Sequence, residues 1–353
     1  MRGTVGLILL VDMDSFFASC EQLKRPELKD KAFVVGTGVE SRKEKSVVQT
    51  ASYAARKFGI HSAMPFSMAL KLKPDIIYLP SDDKFYEQTS EKIVGLLKSY
   101  RMKMEVMSID EMALDSGTED YPSARMIAEA IKSRISNEIG LQCTIGISTS
   151  VVYAKMVCDA FKPNRIGIVK RAELKAFLAD KDVIEILGVG GKTKEKLNKM
   201  GITKVSELAK VPATRLVDSF GRFGAELSRI AKGEDETGVV EGAPAISIGR
   251  ETTLDKETDD INEVAGVMAR LAKEAIEELG KRKLWYRNVA SKARYTDFTL
   301  RTKARRLSNY TDSYETALNT STELLRDLLS NGKVRKVGIR LSEFSRQSGQ
   351  AKL

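Results

Sequence analysis

The chain has 353 residues, 42% hydrophobic and 30% charged, with 58 Lys and Arg against 48 Asp and Glu, a formal net charge of +10. That length exceeds what one core usually supports, so three or four modules of about 60–150 residues are expected, and the composition is that of an ordinary soluble globular protein. Three widely spaced cysteines, Cys20, Cys143 and Cys158, fit neither a disulfide framework nor a zinc site, and a single histidine, His61, excludes multi-histidine metal centres.

Residues 6–11 read as a buried strand that runs into Asp12-Met13-Asp14; the apolar run 7–11 is too short to span a membrane and has no cleavage-site pattern. Residues 33–35 and 46–50 read as strands, 51–58 as a helix ending at Gly59, and 64–72 as a short helix stopping before Pro74. Strand character resumes at 76–79, followed by an amphipathic helix at 85–100 and a hairpin, 105–114, with Asp110 and Glu111 at its turn. Ile127, Ile131, Ile135 and Ile139 recur every four residues and put one apolar stripe on a helix that Gly140 can end. Alternation from Leu141 to Ile147 reads as a half-buried strand, and 151–161 as a helix. This mixed order suggests an antiparallel sheet with helices on one face. Residues 171–232 are helical, 233–245 read as a Gly- and acid-rich linker, and 246–343 form a second module of strand, helix, two strands, helix and strand. The whole is α+β.

Chemistry gathers at five places. Asp12-Met13-Asp14 ends a buried strand, and Ser108-Ile109-Asp110-Glu111 brings two adjacent acids to a hairpin turn; either alone is an ordinary cap or turn. Together, on strands that could be neighbours, they form a carboxylate cluster whose repulsion hard divalent cations relieve. Two Mg²⁺ ions about 3.5–4 Å apart can hold the attacking and leaving oxygens of an in-line phosphoryl transfer. Within residues 50–59, a helix would place Thr50, Tyr53 and Arg56 on one face, a hydroxyl, a phenol and a guanidinium suited to a polyphosphate, or simply an amphipathic surface. Lys162-Pro163-Asn164 fixes a cation beside a rigid turn. Finally, Leu187-Gly188-Val189-Gly190-Gly191-Lys192 between helices is a helix-hairpin-helix pattern whose glycines let backbone N–H groups approach a DNA phosphate.

The positive charge is concentrated. Residues 281–306 hold ten Lys or Arg and one acid, Asp297, a local balance of +9. This is either a solvated face or a polyanion-binding surface, with Lys292, Arg294, Arg301, Lys303 and Arg305 as the candidate phosphate contacts.

The segments 11–18, 51–59, 108–111, Ala154-Lys155, Lys162-Pro163-Asn164 and the Gly188–Gly191 turn occur in the order found in Y-family, DNA polymerase IV-like enzymes of archaea and bacteria. Tyr295-Thr296-Asp297-Phe298-Thr299 followed by Arg301 resembles the C-terminal domain of that family, so the likeness spans about the whole chain. It implies a right hand: palm (1–15 and 74–170), fingers (16–73), thumb (171–232), linker (233–245) and little finger (246–353). The resemblance further implies two Mg²⁺ ions, with Mn²⁺ as a substitute, held by Asp12, Asp110, Glu111 and the Met13 carbonyl. It implies a triphosphate contacted by Phe16, Phe17, Thr50, Tyr53, Arg56 and Lys162, and Phe17 as the steric gate facing the sugar.

The implied reaction is template-directed DNA synthesis, including across damaged template, from primer-template DNA and deoxynucleoside triphosphates. It is expected to be error-prone, without proofreading, by a cytoplasmic monomer with no membrane association. Asp14 reads as a supporting acid. Arg165 stands where relatives usually carry glycine, which puts the local turn in question, and the segment 347–353 lacks an apolar-aromatic sliding-clamp peptide, which leaves a clamp contact undecided. A nucleotidyl cyclase would also use strand-end acids but needs neither the helix-hairpin-helix nor a basic module, and a non-catalytic repair scaffold would not need the intact acids.

Overall fold

A computed structural model describes residues 6–37, 43, 46–242 and 244–346, with the backbone of 349–350. The chain forms two compact units, 1–242 and 243–353. The first begins with β1 (Ile8–Met13), α1 (Phe16–Lys24), β2 (Phe33–Gly36), β3 (Val48–Ala51), α2 (Tyr53–Arg56), α3 (Phe66–Leu72) and β4 (Ile77–Pro80). It continues with α4 (Asp83–Lys98), β5 (Met104–Val106), β6 (Glu111–Asp115), α5 (Tyr121–Arg134), β7 (Cys143–Ser148), α6 (Val151–Phe161) and β8 (Ile166–Ile168).

The main sheet has the order β5-β6-β1-β7-β8, antiparallel except for the β7/β8 pair. Strand β1 is central and every residue in it is buried. Leu9, Val11 and Met13 point into a core shared with Cys20, Tyr86, Ile93, Ala128, Ile131 and Ile135 from α1, α4, α5 and the π-turn that continues α5. Ile8 and Leu10 point the other way, onto Val151, Ala154 and Cys158 of α6. Helices therefore cover both faces of the sheet, not one. The reason lies in the unbroken apolar run 7–11: a strand apolar at both parities must be buried on both sides. The close seat of α6 depends on Gly146 of β7, where a Cβ would lie 2.1 Å from the Ala154 carbonyl oxygen.

A second, three-stranded sheet has the order β3-β2-β4, with β4 parallel to β2. This small sheet runs past the expected boundary at residue 73, because β4 pairs with β2 rather than with the main sheet. Thr50 lies within β3 and the helix is confined to Tyr53–Arg56, so Thr50 does not share a helical face with Tyr53. Ser52 sets that boundary: its hydroxyl accepts the Ala55 N–H as an N-cap and donates to the Lys31 carbonyl.

Five helices follow: α7 (Leu174–Ala179), α8 (Gly191–Lys199), α9 (Val205–Ala209), α10 (Ala213–Phe220) and α11 (Arg222–Lys232), packed around Leu178, Leu197, Leu208, Leu216 and Leu227. The segment expected to be a linker is bound along most of its described length to the first unit. The Thr237 carbonyl accepts the Val151 N–H, the Asp235 N–H donates to the Tyr153 hydroxyl, and the Val240 N–H donates to Glu105. The N-terminus of α6 needs acceptors for its free N–H groups, and this extended backbone supplies one.

The second unit comprises β9 (Ser247–Thr258), α12 (Ile261–Lys281), β10 (Trp285–Tyr295), β11 (Leu300–Thr311), α13 (Tyr314–Leu329), β12 (Val334–Ser345) and β13 (Gly349–Gln350), with sheet order β13-β11-β10-β12-β9. Val264, Met268, Leu271, Leu325 and Leu328 from its two helices pack on Val289, Ala293, Val337, Ile339 and Leu341 of the sheet. No helix among the described residues is long and apolar enough to cross a membrane.

Candidate active site

Asp12 lies within β1, one residue short of its end, directly opposite Glu111 of β6 on one side and Thr144 of β7 on the other. All three share the sheet face covered by α6. From that helix the Lys155 ammonium donates to Asp12 at 2.8 Å, to Glu111, and to Asp159 at 3.1 Å. The Lys162 ammonium donates to the same Asp12 oxygen at 2.6 Å. Burial opposes ionisation of Asp12, but the Glu111 hydrogen bond and the two ammoniums outweigh it and hold its carboxyl below the usual range. Burial, together with the hydrogen bond to Asp12, pushes Glu111 up to about 7. Burial likewise opposes the charge on Lys155, and Asp12 and Glu111 outweigh it, raising its pKa.

Asp110 precedes Glu111 in the turn, and its carboxylate accepts the Ser108 hydroxyl at 2.6 Å. The Asp110 carbonyl accepts the Met13 N–H; the Met13 side chain is buried, so only its backbone can serve a ligand here. Among the described residues no three acids, thiols or imidazoles converge as a metal cluster. Asp12 and Glu111 meet; Asp110 is adjacent and turned to Ser108. The donor set still fits a divalent cation. Two desolvated carboxylates demand positive charge, the Lys155 ammonium stands in for it, and the oxygens are hard donors of the kind Mg²⁺ and Mn²⁺ prefer.

Next to this pair is a cluster of polar and aromatic groups. Asp14, 3% exposed, accepts the Thr144 hydroxyl and the Asn164 N–H, each at 2.8 Å. Tyr53 stands near Ser15, Asp14 and Lys162, and burial followed by the Asp14 charge raises its pKa. Arg56 lies 5.3 Å from the Tyr53 ring and its Nε donates to the Ala51 carbonyl. Thr50 is buried on β3. Phe16 is 3% exposed and belongs to the core, so its ring is not part of the pocket. Phe17 is half-buried and stacks on Tyr86 at 4.7 Å and 22°, and the Tyr86 hydroxyl donates to buried Glu21 at 2.7 Å. The turn at Lys162-Pro163-Asn164 needs no glycine at 165, because Asn164 itself takes the left-handed conformation (φ 58°).

Gly188 (φ +90°) lies against the Phe223 ring, Gly190 caps α8, and the space beside Gly190 and Gly191 is open, as close backbone approach requires; Lys192 is exposed in the first turn of α8. The basic stretch 281–306 is not one surface. Register pairs Lys292 with Thr302 and Arg294 with Leu300, which puts both cations on the sheet face away from the helices. Arg301, Lys303 and Arg305 pair with Ala293, Ser291 and Val289 and therefore take the helix side. There they bond Asn331, Asp327 and Glu323 on or just after α13. The charges alternate along each strand as the sequence suggests, but the hairpin register sets the two strands on opposite faces.

Lys155, Thr144, Lys132 and Tyr86 were not among the expected site residues. For Lys155 a signal existed: it stands seven residues before Lys162, two helical turns along one face. Its contacts define a test. Lys155→Met keeps the stem and removes the charge, and breaking a buried pair this way costs at most about 3–5 kcal/mol. The melting temperature in EDTA is expected to fall, and Mg²⁺ to raise it by more than it raises the parent's. Equal Mg²⁺ shifts in calorimetry of both proteins would remove Asp12 and Glu111 from any cation site.

Known proteins resemble this chain along nearly its whole length. Residues 11–159 match the impB/mucB/samB family, residues 245–353 its C-terminal domain, and residues 185–235 the DNA polymerase-iota thumb domain. The chain is 38% identical to a DNA polymerase IV of Methanoculleus marisnigri, covering 95% of this chain and 94% of that one. It is 34% identical to DNA polymerase IV 2 of Methanosarcina mazei, covering 96% and 92%. Among solved structures it is similar to the chimera Dbh-Dpo4(243-245)-Dbh (28% identity, TM-score 0.89, 97% of this chain and 100% of that one). It is also similar to an insertion ternary complex of Dbh DNA polymerase (28%, TM-score 0.69, 97% and 100%). Matched over nearly its whole length by family, relatives and solved structures, this chain belongs to the Y-family of DNA polymerases and is a DNA-directed DNA polymerase.

Proposed function

We propose that this polymerase performs translesion synthesis by metal-assisted nucleotidyl transfer at Asp12, Asp110 and Glu111, with low fidelity and no proofreading. The observation that carries the reading is the pairing of buried Asp12 with half-buried Glu111, whose charge is met by Lys155 and Lys162. Two divalent ions held by Asp12, Asp110, Glu111 and the Met13 carbonyl would supply charge neutralisation at the phosphates and acidify the primer hydroxyl. Lys162, Arg56 and Tyr53 bind the triphosphate, and their donors make the pyrophosphate a better leaving group. Thr50 lies on the strand before them. Phe17, braced by Tyr86, closes the floor under the sugar. Among the described residues, the helices that follow β3 are short, which supports a loosely checked, permissive site.

DNA is held as primer-template by two surfaces. Backbone N–H groups at Gly188, Gly190 and Gly191, with Lys192, meet one phosphate. Lys292 and Arg294 on the open sheet face of the second unit meet others, while Arg301, Lys303 and Arg305 can join only by leaving their partners on the α13 side. The clamp question falls on residues 347–353, of which only the backbone of 349–350 is described.

Asp110→Ala and Glu111→Ala are each expected to abolish primer extension while DNA affinity stays near the parent's; extension close to the parent rate in either would refute the metal assignment. Phe17→Ala is expected to lower the deoxy- over ribonucleotide efficiency ratio by about 10²-fold or more, since apolar packing alone rejects a hydroxyl by about 10² and a rigid wall does better. Joint loss of both activities with a lower melting temperature would make Phe17 a core residue only. Lys292→Gln with Arg294→Gln is expected to reduce the salt dependence of DNA affinity by about 0.9 per lost phosphate contact. Lys303→Gln with Arg305→Gln should change it less, and a titration of affinity against salt that reverses this order would assign the DNA to the other face.

A further inference from the structure

Lys162 sits where α6 ends, and the two sides of its turn are fixed by different means. On the helix side its own N–H donates to the Cys158 carbonyl. On the far side the tie is Asp14. One carboxylate oxygen accepts the Asn164 N–H at 2.8 Å and the other accepts the Thr144 hydroxyl at 2.8 Å. Asn164 is held a second time, through its side-chain oxygen, by the Lys132 ammonium, which also donates to the Cys143 carbonyl at 2.6 Å. Asp14 is 3% exposed, and both of its oxygens are engaged by neutral donors, whereas Lys155 and Lys162 converge on Asp12. A buried carboxylate committed in this way is suited to holding backbone rather than to ligating or to proton transfer.

We propose that Asp14 is a positioning residue: with Thr144 and Lys132 it anchors the 162–164 turn so that the Lys162 ammonium is presented to the triphosphate of the incoming nucleotide. This rests on the reading of Lys162 as a triphosphate contact given above. Asn164, at φ 58°, makes a reversing turn that is orientable only while its N–H is held. Freed from Asp14, the turn can pivot about the end of α6, and the long Lys162 stem carries its charge away from the pocket.

The test is single-nucleotide incorporation on saturating primer-template DNA with the full chain, comparing parent, Asp14→Ala, Asp14→Asn, Lys162→Ala and the double Asp14→Ala/Lys162→Ala, alongside melting temperature and DNA affinity. Losing a charge-assisted tie to a binding group is expected to raise the nucleotide KM about tenfold in Asp14→Ala, with kcat within about threefold of the parent. Lys162→Ala should raise KM at least about tenfold, and the double variant should be no worse than Lys162→Ala alone, since Asp14 acts only through Lys162. Asp14→Asn, which keeps an acceptor for the Asn164 N–H if Thr144 accepts its amide, should restore KM to within about threefold. If Asp14→Ala does not fold, Lys132→Met carries the test, with a KM rise of about threefold that vanishes in the Lys162→Ala background. A KM effect of Asp14→Ala that persists undiminished in the double variant, or a loss confined to kcat, overturns the proposal while leaving Lys162 in its role. An unchanged KM in Lys162→Ala instead refutes the triphosphate reading of Lys162, and the proposal falls with it.

Discussion

Two carboxylates on neighbouring strands in the middle of a buried sheet are the constraint from which the catalytic unit follows. Asp12 and Glu111 are paired by register, not by flexible side chains, so their separation is fixed by the spacing of β1 and β6. Such a pair persists only if positive charge is brought to it, because isolated buried charge is costly. Helix α6 brings that charge. It lies hard against β7 at Gly146, which places Lys155 over the pair and ends the helix so that Lys162 reaches Asp12. The same helix ties the helical region to the sheet: the Tyr153 hydroxyl donates to the Ile230 carbonyl and accepts the Asp235 N–H. One helix and its C-terminal turn thus bring two ammoniums to the acids and anchor the segment after α11.

The aromatic pair on α1 and α4 is held by a different kind of contact. Phe17 is only half-buried, and a lone half-exposed ring would be free to rotate. Its stacking on Tyr86, whose hydroxyl is held by Glu21 beside Arg25, makes a stiff wall out of residues on α1 and α4. Buried polar groups of this kind are stable only when partnered, and once partnered they specify one geometry.

In the second unit both helices pack on one face of the sheet, so apolar residues take one parity along β10 and β12 and mostly polar or charged residues the other. The face that carries Lys292 and Arg294 also carries Lys336 and Arg340, with Glu251 paired to Lys336 at 2.6 Å. Ion pairs as exposed as these contribute little stability and can be exchanged for phosphate at small cost.

Much of this was legible in the chain itself. The acids Asp12, Asp110 and Glu111, the Lys162 turn, the glycine-rich turn and the α+β alternation are local patterns, and local patterns survive in a one-dimensional reading. The Ile127–Ile139 stripe and its end at Gly140 read correctly for the same reason. What only the tertiary structure decided depends on register and on contacts between distant segments. A shift of the first strand by two residues moved Asp12 from a strand end into the sheet, opposite Glu111. The apolar run beside it required helices on both faces, and the helix expected from residue 51 starts only at Tyr53, so Thr50 stays in its strand and off the helical face. The tie from Asp14 to Asn164 spans 150 residues, and the two faces of the basic hairpin differ by pairing register alone. No composition or spacing encodes such relations, because they arise where separate elements pack, and there burial and hydrogen-bond satisfaction, rather than local propensity, set the free energy.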